Sequence, residues 1–281
     1  MPTSIGPPSY SSDNLIFFLD MGNPASYPGS GAQIFDLSPS RLLAGSVAYL
    51  GGNVPPSYST DYSGFLFIDN NYSLVGVPPL QTSVPAGPTG YIWPQVAPSL
   101  FTNGYTLSFE IFFRPYLAGP GAAEQVILTV GERYYVAITN ATYSTPRVAF
   151  ISAGGLMPSA GYGYQYSSSS DLYGKWHHMV FVMNANGTLG AVFSNKIYIN
   201  GQLMSLDPPC PDPSSPASYN FFDGQLEFIL GYRQNGGTRL LPTDFSRMGK
   251  YDLSLFRVYN GEISQEQVTQ NFDSLRGRYG I

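Results

Sequence analysis

Hydrophobic and polar positions alternate with a period of two over much of the chain. In the clearest case Tyr105, Leu107, Phe109, Ile111 and Phe113 fall on one face, and Thr106, Ser108, Glu110, Phe112 and Arg114 on the other. This is the pattern of a half-buried β-strand. The apolar run Leu15-Ile16-Phe17-Phe18-Leu19, closed by Asp20, and the segments 126–130, 134–138, 147–151, 178–183, 196–199, 226–230 and 253–259 read the same way. Turn residues separate them, as a sandwich of short antiparallel strands requires. Asn-Gly pairs at Asn103-Gly104, Asn186-Gly187, Asn200-Gly201 and Asn260-Gly261 suit turns with positive φ. The pair Asn200-Gly201, between Lys196-Ile197-Tyr198-Ile199 and Gln202-Leu203-Met204, predicts a hairpin. One helix is expected, over 264–276: Ser264 and Gln267 form a capping box, and Val268, Phe272 and Leu275 fall at helical spacing before Gly277.

Residues 1–13 are rich in Pro, Ser and Gly without apolar period and read as an extended arm, with one β-sandwich domain over 14–281. Two Pro/Ser-rich stretches, 76–99 and 205–219, interrupt the pattern as surface excursions. No shift of composition divides the chain into halves with separate cores.

Of 281 residues, 43% are hydrophobic and 15% aromatic, which excludes disorder, whereas only 11% are charged. Ser, Thr, Asn, Gly and Tyr must therefore cover much of the surface. A net charge of -5 leaves no general footprint for a phosphate backbone, so nucleic acid is not an expected partner. Cys210 is the single cysteine, and with two histidines the chain lacks the ligands of a structural zinc site. No stretch approaches ~18 apolar residues, so no membrane insertion is expected, and residues 1–14 lack the pattern of a signal peptide.

The segment Phe18-Leu19-Asp20-Met21-Gly22-Asn23-Pro24-Ala25-Ser26-Tyr27-Pro28-Gly29-Ser30-Gly31, followed by Asp36-Leu37-Ser38, resembles the N-terminal signature of the laminin-G-like, concanavalin A-like lectin-glucanase jelly rolls of phage and large-DNA-virus structural proteins. Gly174-Lys175-Trp176-His177-His178-Met179-Val180, Ile197-Tyr198-Ile199-Asn200-Gly201, Gly231, Val258-Tyr259-Asn260-Gly261-Glu262-Ile263-Ser264, and Asn271-Phe272 through Arg278-Tyr279-Gly280 follow in that family's order. The resemblance implies an all-β fold, a two-sheet antiparallel concanavalin A-like jelly-roll sandwich with one short C-terminal helix. It also implies a place in a virion. Trp, frequent in the family near Ile34-Phe35 and at Phe112, is absent at both places.

Concanavalin A-like folds include glycoside hydrolases, whose chemistry needs two carboxylates about 5–10 Å apart. Glu110 is the lone acid of its strand, and no other strand pairs acids at alternate positions. No serine nucleophile elbow, zinc-helix motif or phosphate loop occurs. Glu110 is expected to be solvated or paired with Arg, and Glu110→Gln to leave the fold intact. His177 and His178, adjacent on a strand, point to opposite faces and do not make a joint metal site. Asp20, Asp36 and Asp69 stand at strand ends or in loops where Asp makes turns. Neither a metal nor a cofactor is assigned.

Contact chemistry remains. Gly161-Tyr162-Gly163-Tyr164-Gln165-Tyr166, followed by 167–170 of serine, and Tyr91-Ile92-Trp93 can offer aromatic platforms. Trp93, Tyr162, Tyr164 and Tyr166 are therefore the candidates for glycan or partner contact, with protein contact ahead of glycan. The Asn-x-Ser/Thr sites at Asn71, Asn140 and Asn186 carry little weight without a signal peptide. The expected function is a non-enzymatic virion structural protein, a minor capsid, cement or vertex-associated component, whose arm 1–13 and loop 205–219 touch other capsid proteins. The alternative is a carbohydrate-binding lectin on a tail fibre or capsid surface, recognising surface glycans for host attachment. A glycoside hydrolase stands third.

Overall fold

The computed structural model describes residues 12–30, 33–39, 44–46, 57–69, 95–96, 106–117, 124–130, 134–139, 145–152, 162–184, 195–206, 226–230 and 249–281. The strands are β1 (Leu15–Asp20), β2 (Gln33–Phe35), β3 (Ala44–Ser46), β4 (Ser57–Ser59), β5 (Phe65–Asp69), β6 (Gln95–Val96), β7 (Thr106–Pro115) and β8 (Glu124–Val130). They continue as β9 (Tyr134–Thr139), β10 (Arg147–Ser152), β11 (Tyr162–Gln165), β12 (His177–Asn184), β13 (Lys196–Ile199), β14 (Gln202–Leu203), β15 (Leu226–Leu230) and β16 (Lys250–Asn260), followed by helix α1 (Gln265–Tyr279).

Two antiparallel sheets face each other, as the alternation predicts. The first runs β14-β13-β12-β7-β16-β5-β4, with β1 also paired to β16, and the second β11-β10-β9-β8-β15-β6; β2 and β3 form a small separate ribbon. The short strands β2 to β6 escape the sequence pattern because two to five residues are too few to display a period. Between the sheets, Leu107, Phe109, Ile111 and Phe113 of β7 and Met179, Phe181 and Met183 of β12 meet Val136, Ile138, Val148 and Phe150 of the second sheet. Phe150 and Phe181 join edge to face across the gap at 6.1 Å.

Strand β7 departs from expectation in one respect: it is buried on both faces, not half-buried. Its second face lies beneath helix α1. There Phe112, Val180, Val182, Tyr198, Leu255 and Tyr259 from the first sheet form a second core with Leu15, Phe18, Ile263, Val268, Leu275 and Tyr279. The helix begins as predicted, since Ser264 Oγ accepts from the Gln267 N–H and the Gln267 side chain accepts from the Ser264 N–H. It does not stop before Gly277. Leu275 and Tyr279, one turn apart and both buried, carry it to Tyr279, and Gly280 at φ 70 supplies the left-handed C-terminal cap.

The Asn200-Gly201 turn links β13 to β14 with both residues at positive φ, 49 and 80, and Ile199 opposite Gln202. That is the hairpin geometry expected of this dipeptide. Asn103 and Asn186 lie outside the described residues, as do arm residues 1–11, most of both Pro/Ser excursions, Cys210, Gly231 and the three Asn-x-Ser/Thr asparagines. Among the described residues no helix is long and apolar enough to cross a membrane.

The packing of α1 yields a prediction. Ser264→Ala removes the capping box at a cost of about 1 kcal/mol, and Val268→Ala, at a fully buried position, costs about 2 kcal/mol. Both are read as shifts of the urea midpoint at unchanged slope.

Candidate functional site

The acid singled out in the sequence sits at the centre of the second core. Strand β7 places Glu110 directly opposite Arg257 of β16. A bulge in β16 between Leu253 and Leu255 makes this meeting happen. Tyr251 and Leu253 face the inter-sheet core before it, Phe256 and Val258 after it, and so Leu255, Arg257 and Tyr259 turn toward the helix. An uninterrupted strand would aim Arg257 into the apolar core.

Glu110 is 0% exposed. Its Oε1 lies 3.0 Å from His178 Nε2 and 3.2 Å from Arg257 Nη1, while Oε2 accepts from Tyr259 Oη at 2.7 Å and Asn271 Nδ2 at 2.9 Å. Asn271, on α1, also donates to Tyr259 Oη at 3.0 Å. The guanidinium of Arg257 lies 4.5 Å from the Phe18 ring, and His178 stacks between Phe112 and Phe272. Burial alone would raise the carboxyl pKa. The Arg257 charge and the hydrogen bonds from His178 and Tyr259 override burial and hold it at about 2. Because an ionised carboxylate only accepts, the His178 Nε2 must carry the hydrogen it shares with Glu110.

The sequence expectation of a solvated or Arg-paired Glu110 thus resolves to the second, with full burial added. An acid with no solvent access and its oxygens occupied by Arg, His, Tyr and Asn is placed for structure. The same geometry argues against the tolerance expected of Glu110→Gln, because the amide would leave the buried Arg257 charge uncompensated. Arg257 was not singled out in the sequence, and Asn271 entered only as part of the closing motif, with no role attached. The available signal was a charged residue inside the apolar run Leu255-Phe256-Arg257-Val258, and an Asn on the helix face that carries Val268 and Leu275.

The two histidines do point to opposite faces. His177 turns inward, its Nε2 2.8 Å from the Leu172 carbonyl. Burial, with the Lys175 charge adding to it against the Leu172 hydrogen bond, lowers its pKa to about 4. Asp20 and Asp36 serve turns. Asp20 Oδ1 accepts from the Gly22 N–H and from Arg278, while Asp36 accepts from the N–H groups of Phe18 and Ser38. The side chain of Asp69 lies outside the described residues. Among the described residues no three potential ligands gather as a metal set.

The tyrosine candidates separate. Tyr166 is 6% exposed in the inter-sheet core, with its ring 5.9 Å from His177, so it is not on a surface platform. Alternation places Tyr164 beside it, half-buried, at 5.2 Å. The backbone of Tyr162 pairs with Phe150, and its side chain, like all of Trp93, lies outside the described residues.

A second aromatic group lies at the surface, beyond the C-terminal end of α1. Arg114 ends the outward face of β7 and stands opposite Asp252 of β16, which stands opposite Phe67 of β5. The Arg114 guanidinium lies 5.2–5.6 Å from the ring centres of Tyr62, Phe65, Tyr116 and Trp176. Its Nε and Nη2 both donate to Asp252 Oδ2, at 2.7 and 2.6 Å, and the Tyr116 hydroxyl donates to the same oxygen. Burial, together with Asp252, pushes the Tyr116 hydroxyl up to about 12. Trp176 is 4% exposed and also touches Phe65, Tyr62 and Tyr279. Tyr62 is the open member, at 40% exposure. It sits in a one-turn loop with no alternation to mark it, so no sequence signal connected it with Arg114.

No protein-family model and no curated relative matches the chain. Solved structures do resemble it. The binding domain of botulinum neurotoxin serotype D/C VPI 5993 superposes with a TM-score of 0.56 at 12% identity, over 94% of this chain and 53% of that one. The structure described as "Cell entry of botulinum neurotoxin type C is dependent upon interaction with two ganglioside molecules" gives 0.57 at 12%, over 94% and 52%. The binding domain of botulinum neurotoxin DC in complex with rat synaptotagmin II gives 0.55 at 11%, over 94% and 52%. The chain thus spans about half the length of these neighbours. At such identities the likeness is one of fold.

Two outcomes follow from the buried groups. Glu110→Gln lowers stability by about 3 kcal/mol in chemical denaturation at pH 7, since it strands Arg257 without its counter-charge. Acid destabilises the wild type in two windows, because both folded-state pKa values lie below their ordinary ones. His177 removes stability as pH falls from 6.5 through about 4, and Glu110 as it falls from 4.5 through about 2. His177→Gln flattens the first window and leaves the second, in urea midpoints measured against pH.

Proposed function

We propose that the protein is a non-enzymatic binding domain that works through its surface contacts. The observation that carries this reading is the burial of Glu110. The acid best placed on a strand for sugar chemistry is sealed under α1 and fully bonded. Asp252, the neighbouring acid on the same face, is 1% exposed and engaged by Arg114 and Tyr116. Glycoside hydrolysis needs two carboxyl groups that reach one bond from opposite sides, one as acid and one as base or nucleophile. Neither of these acids reaches a substrate in this fold.

The finer reading places the domain in a virion as a minor capsid, cement or vertex-associated component that binds other capsid proteins. Its support is the family resemblance of the motifs from Phe18 to Gly31 and from Val258 to Gly280, together with low charge and abundant Tyr and Pro. A second reading is glycan recognition. The exposed ring of Tyr62 beside the planar Arg114 guanidinium favours it, as does the fold shared with structures described with gangliosides and with SialylT.

Incubating the purified chain with a panel of polysaccharides and assaying new reducing ends tests the non-enzymatic reading. No release is expected at any pH from 4 to 8, as both acids stay occupied. Release that disappears in an Asp252→Asn or Glu110→Gln variant of intact fold would contradict it. For the virion reading, the chain lacking residues 1–13 is expected to enter particles less well than the full chain, and equal incorporation would contradict it.

A further inference from the structure

We propose that Tyr62 and Arg114 form a subsite for one neutral pyranose ring of a glycan; the proposal rests on the glycan reading above. Sugar recognition combines an aromatic ring, against which the C–H face of a pyranose packs, with planar polar side chains that bond its hydroxyls. Among the described residues this surface brings the two together.

Tyr62 supplies the ring and is held ready. Tyr62, Ser63 and Gly64 follow one another at φ 51, 63 and 115, a run of left-handed backbone costly for its two non-glycine members. Arg278 of the helix pins that run, its Nε donating to the Tyr62 carbonyl at 2.9 Å and its Nη2 to the Ser63 carbonyl at 3.3 Å. Arg278 Nη2 is fixed in turn by Asp20 at 2.9 Å. Gly64 is required as well, because a Cβ there would stand 2.7 Å from the Met21 carbonyl oxygen. Edge-to-face packing on Trp176 at 5.5 Å completes the support. The ring is therefore preorganised, and ordering it on binding costs little.

Arg114 supplies the polar partner and sets the ligand class. Its Nε and Nη2 are engaged by Asp252, the five donors of the guanidinium exceed what that carboxylate takes up, and the side chain keeps 19% exposure. Because Asp252 already balances the guanidinium, the pair has no spare charge to hold an anion. The N–H groups left over suit hydroxyl and ring oxygens. These features fit a neutral sugar better than a sialic or uronic acid.

The test uses the full chain on a printed glycan array, with saturation-transfer NMR against methyl glycosides of glucose, galactose, mannose and N-acetylglucosamine. Binding to at least one neutral glycan is expected. Tyr62→Asn, which tolerates left-handed backbone while removing the ring, should weaken it about tenfold, and Tyr62→Phe should stay within about twofold. Arg114→Lys, which keeps the charge but loses the planar fork, should weaken it as well. Thermal midpoints establish that each variant folds, and if Arg114→Lys does not, Tyr62→Asn decides alone. Wild-type binding unaffected by Tyr62→Asn would overturn this subsite and leave the glycan reading standing. Binding to acidic sugars alone would overturn the neutral class. No glycan binding by the wild type would overturn both the subsite and the reading beneath it.

Discussion

The ion pair of Glu110 and Arg257 under helix α1 is the constraint around which the rest is arranged. A buried pair of this kind is not a source of stability by itself, since desolvating two charges offsets much of their attraction. Its effect is on specificity. The two charges meet, and both oxygens of Glu110 are engaged, only when β7 and β16 are in register, when the bulge after Leu253 has turned Arg257 outward, and when Asn271 of the docked helix reaches Glu110 Oε2. Any other register, or a helix rotated by one residue, leaves a charge or a carboxylate oxygen without a partner in a dry interior. The polar group thus selects one arrangement among the many that the surrounding apolar side chains would accept.

The same docked helix links the two ends of the chain to the surface. Tyr279 stacks on Phe112 and donates to Ser254 Oγ, which itself donates to the Gly64 carbonyl. Arg278 ties Asp20 to the loop at Tyr62 and Ser63. The N-terminal signature around Asp20 and the closing Arg278-Tyr279-Gly280 are far apart in sequence but converge beside the Arg114 aromatic group. Their shared work is to hold a strained loop, and with it the exposed ring of Tyr62, in one conformation.

The long strands, the Asn200-Gly201 hairpin and the start of the helix were legible because each has a local cause: period-two alternation, a dipeptide suited to positive φ, a capping box. The far end of the helix was not. Gly277 reads as a stop, yet tertiary burial of Leu275 and Tyr279 outweighs the propensity cost of one exposed glycine, about 1 kcal/mol. The second burial of β7 was hidden for a related reason. Ser108, Glu110 and Arg114 look like a solvent face until a helix from the end of the chain covers part of it. Glu110 was correctly seen as unpaired with another acid, but its environment depends on Arg257 and Asn271, more than a hundred residues away. Tyr166, read as a surface ring from its Gly/Tyr/Ser setting, packs inward because strand alternation sets its side and the Gly-Tyr repeat does not.

The central claim is that helix α1 and the first sheet form one cooperative unit locked by the Glu110 network. Native-state hydrogen exchange tests it most directly, read at the amides of α1 from Val268 to Leu275 alongside those of β7 and β16. The account predicts that the helix amides exchange only through the same global opening as the strand amides, with matching free energies and matching denaturant dependence. Helix amides that exchange through a separate, far less costly opening, while β7 and β16 stay protected, would contradict it.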